Sequence, residues 1–397
     1  MILNKDFIEF IYEAAHIQRW NDHIRPQGFT ELDKQAHKML IMYVLARYEE
    51  EQGAQLDWQV LIEGGIFEFL HRIVLTDIKP PIFHELMRVS GEKLNAWVFS
   101  ELKRKIPDFD AAFLTRMHRY FEEETYLLEK KVLRAAHYLA TEWEFRIVYH
   151  MNQGIYGIEQ TKISIANEIK EHKDLLGVQK IIAGEEPQKF VDLVGQLRFQ
   201  KRWAQSPRVP ETSVMGHMII VAILGYFCAL RLGACQQRAI NDFLCGLLHD
   251  LPEVLTRDIV SPVKRSVKGL DELIKEIEKR QIAEKILPLL PLNWHQEILY
   301  FSENEFCDRI IKEGNVYICD TPEEIGEFYN ENKFCAIDGS VLKGCDNLAA
   351  FVEAWLSRTH GINSRHVNDG EKALREKYHN VSIAGIPFGE IYAKFKE

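Results

Sequence analysis

A chain of 397 residues with 46% hydrophobic and 27% charged side chains carries enough apolar material for two globular domains of ordinary size, each with its own core. Its formal net charge of -10 argues against a nucleic-acid backbone as principal partner, because that binding runs on Lys and Arg neutralising phosphates; a local basic pocket for one phosphate stays open. The start, Met1-Ile2-Leu3-Asn4-Lys5-Asp6-Phe7, has no leader pattern, and the longest apolar run, residues 218–230, is 13 residues and too short to cross a bilayer, so no membrane partner is expected.

Taken in order, the chain reads as two copies of one unit. Phe7-Ile8-Glu9-Phe10 through Gln18-Arg19-Trp20 lines up without a gap on Phe190-Val191-Asp192-Leu193 through Lys201-Arg202-Trp203. His37 then falls opposite His217, and Gly65-Ile66-Phe67-Glu68-Phe69-Leu70 opposite Gly246-Leu247-Leu248-His249-Asp250-Leu251. Asp77-Ile78 meets Asp258-Ile259, Pro81-Ile82 meets Pro262-Val263, and Val132-Leu133-Arg134-Ala135-Ala136-His137 meets Val341-Leu342-Lys343-Gly344-Cys345-Asp346. The offset grows from 181 at Gly65 to 209 at Val132, so the second copy holds about 28 extra residues before its last block. Such self-similarity reads as a tandem duplication. The expected layout is a first domain over 1–183, a linker over 184–189 around Gly184-Glu185-Glu186-Pro187, and a second domain over 190–397 with an insertion at about 292–339.

Residues 40–48, 121–149 and 270–287 carry apolar side chains at three- and four-residue spacing among Glu, Lys and Arg, which predicts amphipathic helices and an all-α fold. The insertion has Gly314-Asn315 and Asp338-Gly339 turns and predicts a short hairpin around Asn315-Val316-Tyr317-Ile318-Cys319. All seven cysteines (Cys228, Cys235, Cys245, Cys307, Cys319, Cys335 and Cys345) lie in the second half with no Cys-x-x-Cys pair. That predicts free thiols in a reducing cytoplasm.

The chemistry concentrates at Gly246-Leu247-Leu248-His249-Asp250-Leu251-Pro252-Glu253-Val254-Leu255-Thr256-Arg257-Asp258. An apolar run leads into an imidazole and carboxylates, with Glu253 one helical turn past His249 if the segment is helical. Buried charge there calls for a compensating cation, although capping acids at a helix boundary give the same pair of residues. His217 sits near the start of a stretch apolar on all sides, where a core histidine is the alternative, and Asp346 opens Asn347-Leu348-Ala349-Ala350-Phe351-Val352, where an N-cap is the alternative. The order His, His-Asp, distant Asp favours a metal set of His217, His249, Asp250 and Asp346. In the first copy the facing residues are Glu68 and Phe69 for His249 and Asp250, Arg72 for Glu253 and His137 for Asp346. Either that copy is a metal-free pseudo-domain, or His37, Glu68 and His137 form a vestigial two-imidazole, one-carboxylate site.

Arg202-Trp203, His217, His249-Asp250, Glu253 to Asp258, Ser261-Pro262-Val263-Lys264 and Asp346 together resemble the HD superfamily of metal-dependent phosphohydrolases, most closely its bacterial 5'-deoxynucleotidases. The resemblance covers roughly residues 190–360. Relatives usually carry a Glu before the first His, where this chain has Gly216, and a Gly where it has Arg257. What the resemblance implies is one divalent transition metal (Mn, Fe, Co, Ni or Zn), a 5'-deoxyribonucleoside monophosphate as substrate, Arg202 and Trp203 against phosphate and sugar with Lys264 assisting, and a homodimer, or a monomer in which the first copy stands in for the second subunit. Glu253 is the expected general acid/base and Asp258 the residue orienting water or substrate. Arg19-Trp20 persists in the first copy as a structural pair or a retained nucleotide pocket. Rival readings are a dNTP or alarmone hydrolase of the same superfamily, a cyclic dinucleotide phosphodiesterase, whose usual Gly-Tyr-Pro signature this chain lacks, and a non-catalytic nucleotide sensor or assembly module.

Overall fold

The structure, a computed structural model, describes residues 3–259 and 267–396; Lys264 and its Ser261-Pro262-Val263 neighbours lie outside the described residues. Two compact units divide the chain, Met1–Gln179 and Lys180–Glu397. Both are helical, and a two-stranded sheet is the only sheet among the described residues. The architecture is all-α.

The first unit runs α1 (Lys5–Tyr12), α2 (Glu31–Glu51), α3 (Trp58–Leu75), α4 (Pro80–Lys105), α5 (Ala111–Glu122), α6 (Leu127–Met151) and α7 (Ile158–Lys170). Thr30 caps α2, its hydroxyl accepting from the Asp33 N–H at 3.2 Å. Residues 39–46 of α2 are buried around the whole helix, so it is the central element, with α3 and α6 packed on it. The single helix expected over 121–149 is in fact two. α5 ends in the acids Glu122, Glu123 and Glu124, which oppose the negative C-terminal end of a helix dipole, and the chain turns through Tyr126 at φ 55° before α6 begins. At the unit boundary α8 (Leu176–Ala183) runs past the division at Gln179, and α9 (Glu186–Gly195) absorbs most of the expected linker, with Pro187 in the first turn where its missing N–H costs nothing.

In the second unit, Ser213 caps α10 (Val214–Arg231) by accepting from Gly216 N at 2.9 Å. This helix extends beyond the apolar run seen in sequence and is long and apolar enough to cross a membrane by length and composition, yet 89% of it is buried inside the protein, as befits a core helix. α11 (Gln236–Leu248) packs against it so closely that a Cβ on Gly246 would lie 2.7 Å from the Ala222 Cα, so only glycine fits. The segment 249–252 is not helical; it turns, and the short α12 (Glu253–Thr256) follows. Next comes the helix Leu270–Gln281, which ends in a π-type turn over Ile282–Ile286 rather than continuing to 287. The insertion contains a hairpin of β1 (Arg309–Lys312) and β2 (Asn315–Ile318), with Glu313 and Gly314 at φ 52° and 78° as the two-residue turn requires. Buried Arg309 donates to the carbonyls of Tyr300 (2.6 Å), Asn304 (2.9 Å) and Cys307 (2.9 Å), tying down the loop ahead of β1. The long helix Gly339–Thr359 closes the core. Asp346 therefore lies two turns inside a helix and is not its N-cap. All seven cysteines are free.

Candidate metal centre

Three helices and one turn bring the second unit's polar groups together. His217 follows the Ser213 cap by one turn and is wholly buried; its Nε2 stands 3.0 Å from Asp346 Oδ1 and 3.9 Å from Asp250 Oδ2. His249 ends α11, where its Nδ1 lies 2.8 Å from the Gly246 carbonyl. A carbonyl can only accept, so the proton sits on Nδ1 and the Nε2 lone pair faces inward. That Nε2 is buried, has no hydrogen-bond partner, and stands 3.1 Å from Asp250 Oδ2. Ligand atoms of His217, His249 and Asp346 all lie within 4.8 Å of one another, the one such group of three or more among the described residues. Two imidazoles, adjacent carboxylates and an orphaned buried nitrogen fit a divalent transition ion.

The electrostatics agree with that donor set. Burial opposes ionisation of Asp346, but Lys343 and the two imidazoles outweigh it and hold the carboxyl well below its ordinary range. Asp250 is likewise depressed against its burial, chiefly by His249. His249 is raised despite desolvation because Asp250 and Asp346 face it, whereas burial and the Arg202 charge lower His217.

Arg202 and Trp203 are fixed from behind by a residue outside the sequence motif. Glu353, fully buried in the Gly339–Thr359 helix, accepts from Trp203 Nε1 at 3.0 Å, Arg202 Nε at 3.3 Å and Thr212 Oγ1 at 2.7 Å. Arg202 foremost, then buried Arg208, His217 and the Thr212 hydroxyl, overcome burial and pull its carboxyl down to about 2. With Nε committed, the guanidinium turns Nη1 toward the site, 3.8 Å from Asp250 Oδ2. The legible signal was an acid inside the apolar run Ala349-Ala350-Phe351-Val352-Glu353-Ala354-Trp355, which cannot stay charged there unless paired. Lys343 was also missed; its Nζ lies 2.8 Å from Asp346 Oδ2 and 4.0 Å above the Phe306 ring.

A cavity of about 890 Å³ opens on this cluster, and Arg202, Trp203, Glu253, Asp258, Lys343 and Asp346 line it. Glu253 and Asp258 thus share the cavity with the ligand candidates. Trp203 forms a wall against the helix Arg365–Lys377, where Gly370 comes so close that a Cβ would meet the indole at 2.6 Å. Arg257 has φ 64° and ψ 165°, a conformation glycine tolerates, which explains physically why a Gly suits this position in the family it resembles.

Features of the first unit repeat at fixed offsets. The bridges Gln18↔Thr30 and Lys201↔Ser213, the positive φ of Trp20 (55°) and Trp203 (56°), and the caps Thr30 and Ser213 are all 183 apart. Arg19 Nε and Trp20 Nε1 both donate to Glu144 at 2.8 Å, as Arg202 and Trp203 do to Glu353. A Cβ on Gly65 would strike Met39 as one on Gly246 would strike Ala222, which keeps 181 as the offset between α3 and α11. The 183 register corrects one pairing: Lys34, not His37, faces His217. His37 is buried with its ring edge-on to Trp143, centroids 5.2 Å apart, and the proposed set of His37, Glu68 and His137 is not brought together. An ungapped α2 carried three residues out of register by the single histidine match explains the error.

Residues 194–375 match the family model described as HD domain. This stretch is similar to the HD domain. No curated protein and no solved structure matches the chain. The likeness, together with the His217, His249 and Asp346 group, suggests a metal-dependent hydrolase in general.

Proposed function

We propose that the HD domain is a 5'-nucleotidase that removes phosphate from nucleoside 5'-monophosphates, with deoxyribose preferred, and that the chain arose by tandem duplication with a degenerate first copy. The observation that carries the reading is the Arg202-Trp203 pair held by Glu353 at the edge of the His217, His249 and Asp346 group, with Asp250 beside both imidazoles. A guanidinium anchored through Nε keeps its outer nitrogens for two phosphate oxygens. The indole beside it offers an apolar wall against the sugar, and about 890 Å³ accommodates a mononucleotide. A divalent ion held by those four side chains would supply Lewis-acid polarisation of the phosphoryl group and a nucleophile at neutral pH.

The chain's own groups do the rest. Arg202 orients the phosphate and balances its charge. Lys343, tethered to Asp346, brings a second cation to the same rim. Glu253, largely buried on α12, takes the proton from water and returns one to the leaving 5'-oxygen, and Asp258 orients the water; that both line the cavity supports these roles. The repeated offsets between units support the duplication, and the chain is proposed to act as a monomer. The test is a metal-reconstituted chain incubated with nucleoside 5'-mono-, di- and triphosphates. Inorganic phosphate from monophosphates is the expected product; release of triphosphate from dNTPs with monophosphates untouched would replace this reading with the rival hydrolase.

A further inference from the structure

In the first unit the residues facing the metal set do not fit a metal. Lys34 stands where His217 stands, and its Nζ contacts His137 Nδ1, as His217 Nε2 contacts Asp346. Lys38, one turn on, places its Nζ 2.8 Å from Glu68 Oε2, and Glu68 faces His249 in the register. Tyr120 donates to the other Glu68 oxygen at 2.7 Å. Phe69, 2% exposed, takes the place of Asp250 and offers no donor atom. Arg72 replaces Glu253, with its Nε 3.9 Å from Glu31 Oε2.

We infer that Lys34 and Lys38 fill, in the first unit, the place a metal ion takes in an HD domain, so that this unit is closed by its own side chains and binds no cation. Both lysines are wholly buried, and each spends its nitrogen on one of the two residues that could otherwise ligate. A divalent ion entering here would displace two buried amino groups and sit among Arg19, Lys38 and Arg72, whose charges oppose it. The same substitution keeps the geometry of Arg19, Trp20 and Glu144 without a metal, since Glu144 still receives both donors. Burial, with Arg19 and Lys38 nearby, pushes the Lys34 amine well below its usual value; charged or neutral, its nitrogen still occupies the space between the helices.

The inference does not depend on which ester the HD domain hydrolyses. It is tested by metal content of the full chain after reconstitution with Co²⁺ or Zn²⁺ alone. Wild type should hold one ion per chain, unchanged by His137→Ala and reduced at least tenfold by His249→Ala. Lys34→His combined with Lys38→Leu frees Glu68 and creates a set of His, Glu68 and His137, so the count should rise to two, with added Co²⁺ absorption in the visible. A second ion in wild type that His137→Ala removes would overturn the inference. So would a folded double variant, checked by circular dichroism, that still binds one.

Discussion

Glu353→Gln isolates the charge that holds the Arg202-Trp203 pair. Glutamine keeps the length and one oxygen for Trp203, and its amide NH2 can donate to the Thr212 hydroxyl, so the main loss is the charge that faces Arg202 and Arg208. The Arg202 Nε to Glu353 Oε2 distance of 3.3 Å corresponds to about 5 kcal/mol of attraction at an effective dielectric near 20. Part of this is retained, because Arg202 still faces Asp250 at 3.8 Å, so the net destabilisation should be about 3 kcal/mol, the scale for breaking one partner of a buried ion pair. For a unit of this size that lowers its melting transition by about 6–12 °C. Arg202 should also swing toward Asp250, raising KM for the phosphate substrate more than it lowers kcat. Differential scanning calorimetry on the full chain, resolving the two units, and steady-state kinetics measure both. A shift below about 2 °C with KM unchanged would refute the assignment of Glu353 as the anchor.

Three further outcomes follow from the same packing and electrostatics. Gly246→Ala must push α10 and α11 apart, because the new Cβ meets Ala222 backbone atoms at 2.7 and 2.9 Å; a loss of about 1–3 kcal/mol in urea unfolding is expected. Gly65→Ala meets the mobile end of Met39 instead, so its loss should be smaller, and equal losses would contradict the contrast. Arg257→Gly relieves backbone held at φ 64° and ψ 165°, and should stabilise the second unit by about 1 kcal/mol without altering metal content; a lower melting temperature would argue against strain there. Glu31, buried beside Arg19, has its carboxyl lowered to about 2 from 4.5 because Arg19, Arg72 and Lys34 outweigh its burial. Its contribution of about 3 kcal/mol is therefore complete above pH 4.5 and lost as pH falls toward 2, so tryptophan-monitored acid unfolding of the first unit should lose steepness in Glu31→Gln and not elsewhere.

Much of this was legible because the residues concerned are expensive to place anywhere else. An imidazole and an acid at the end of the apolar run Phe243-Leu244-Cys245-Gly246-Leu247-Leu248 point to a compensated buried site from sequence alone. The distant Asp346 came from the ordered motif, although its position inside a helix did not, since the boundary at Gly339 has no side-chain cap to announce it. The repeat was readable over the Arg-Trp segments and the close-packed glycines. Within α2 it slipped, because that helix is buried on every side, its polar first turns included, so no solvent-facing stripe sets a register. Glu144 and Glu353 lay in plain view as acids within apolar helices, but their partners come from segments more than a hundred residues away, which no local pattern reveals. Lys34 was invisible as a counterpart to His217 until Thr30 and Ser213 fixed the two caps in space.

The most direct measurement is metal content and phosphate release on the same preparations of wild type and Asp346→Asn. Asparagine preserves the shape and leaves His217 a partner, yet removes the charge a cation needs. The account predicts that the variant binds metal at least tenfold more weakly and loses hydrolysis of nucleoside monophosphates in proportion. A variant that retains both its metal and its turnover would contradict the proposal that Asp346 closes the metal site on which the hydrolysis depends.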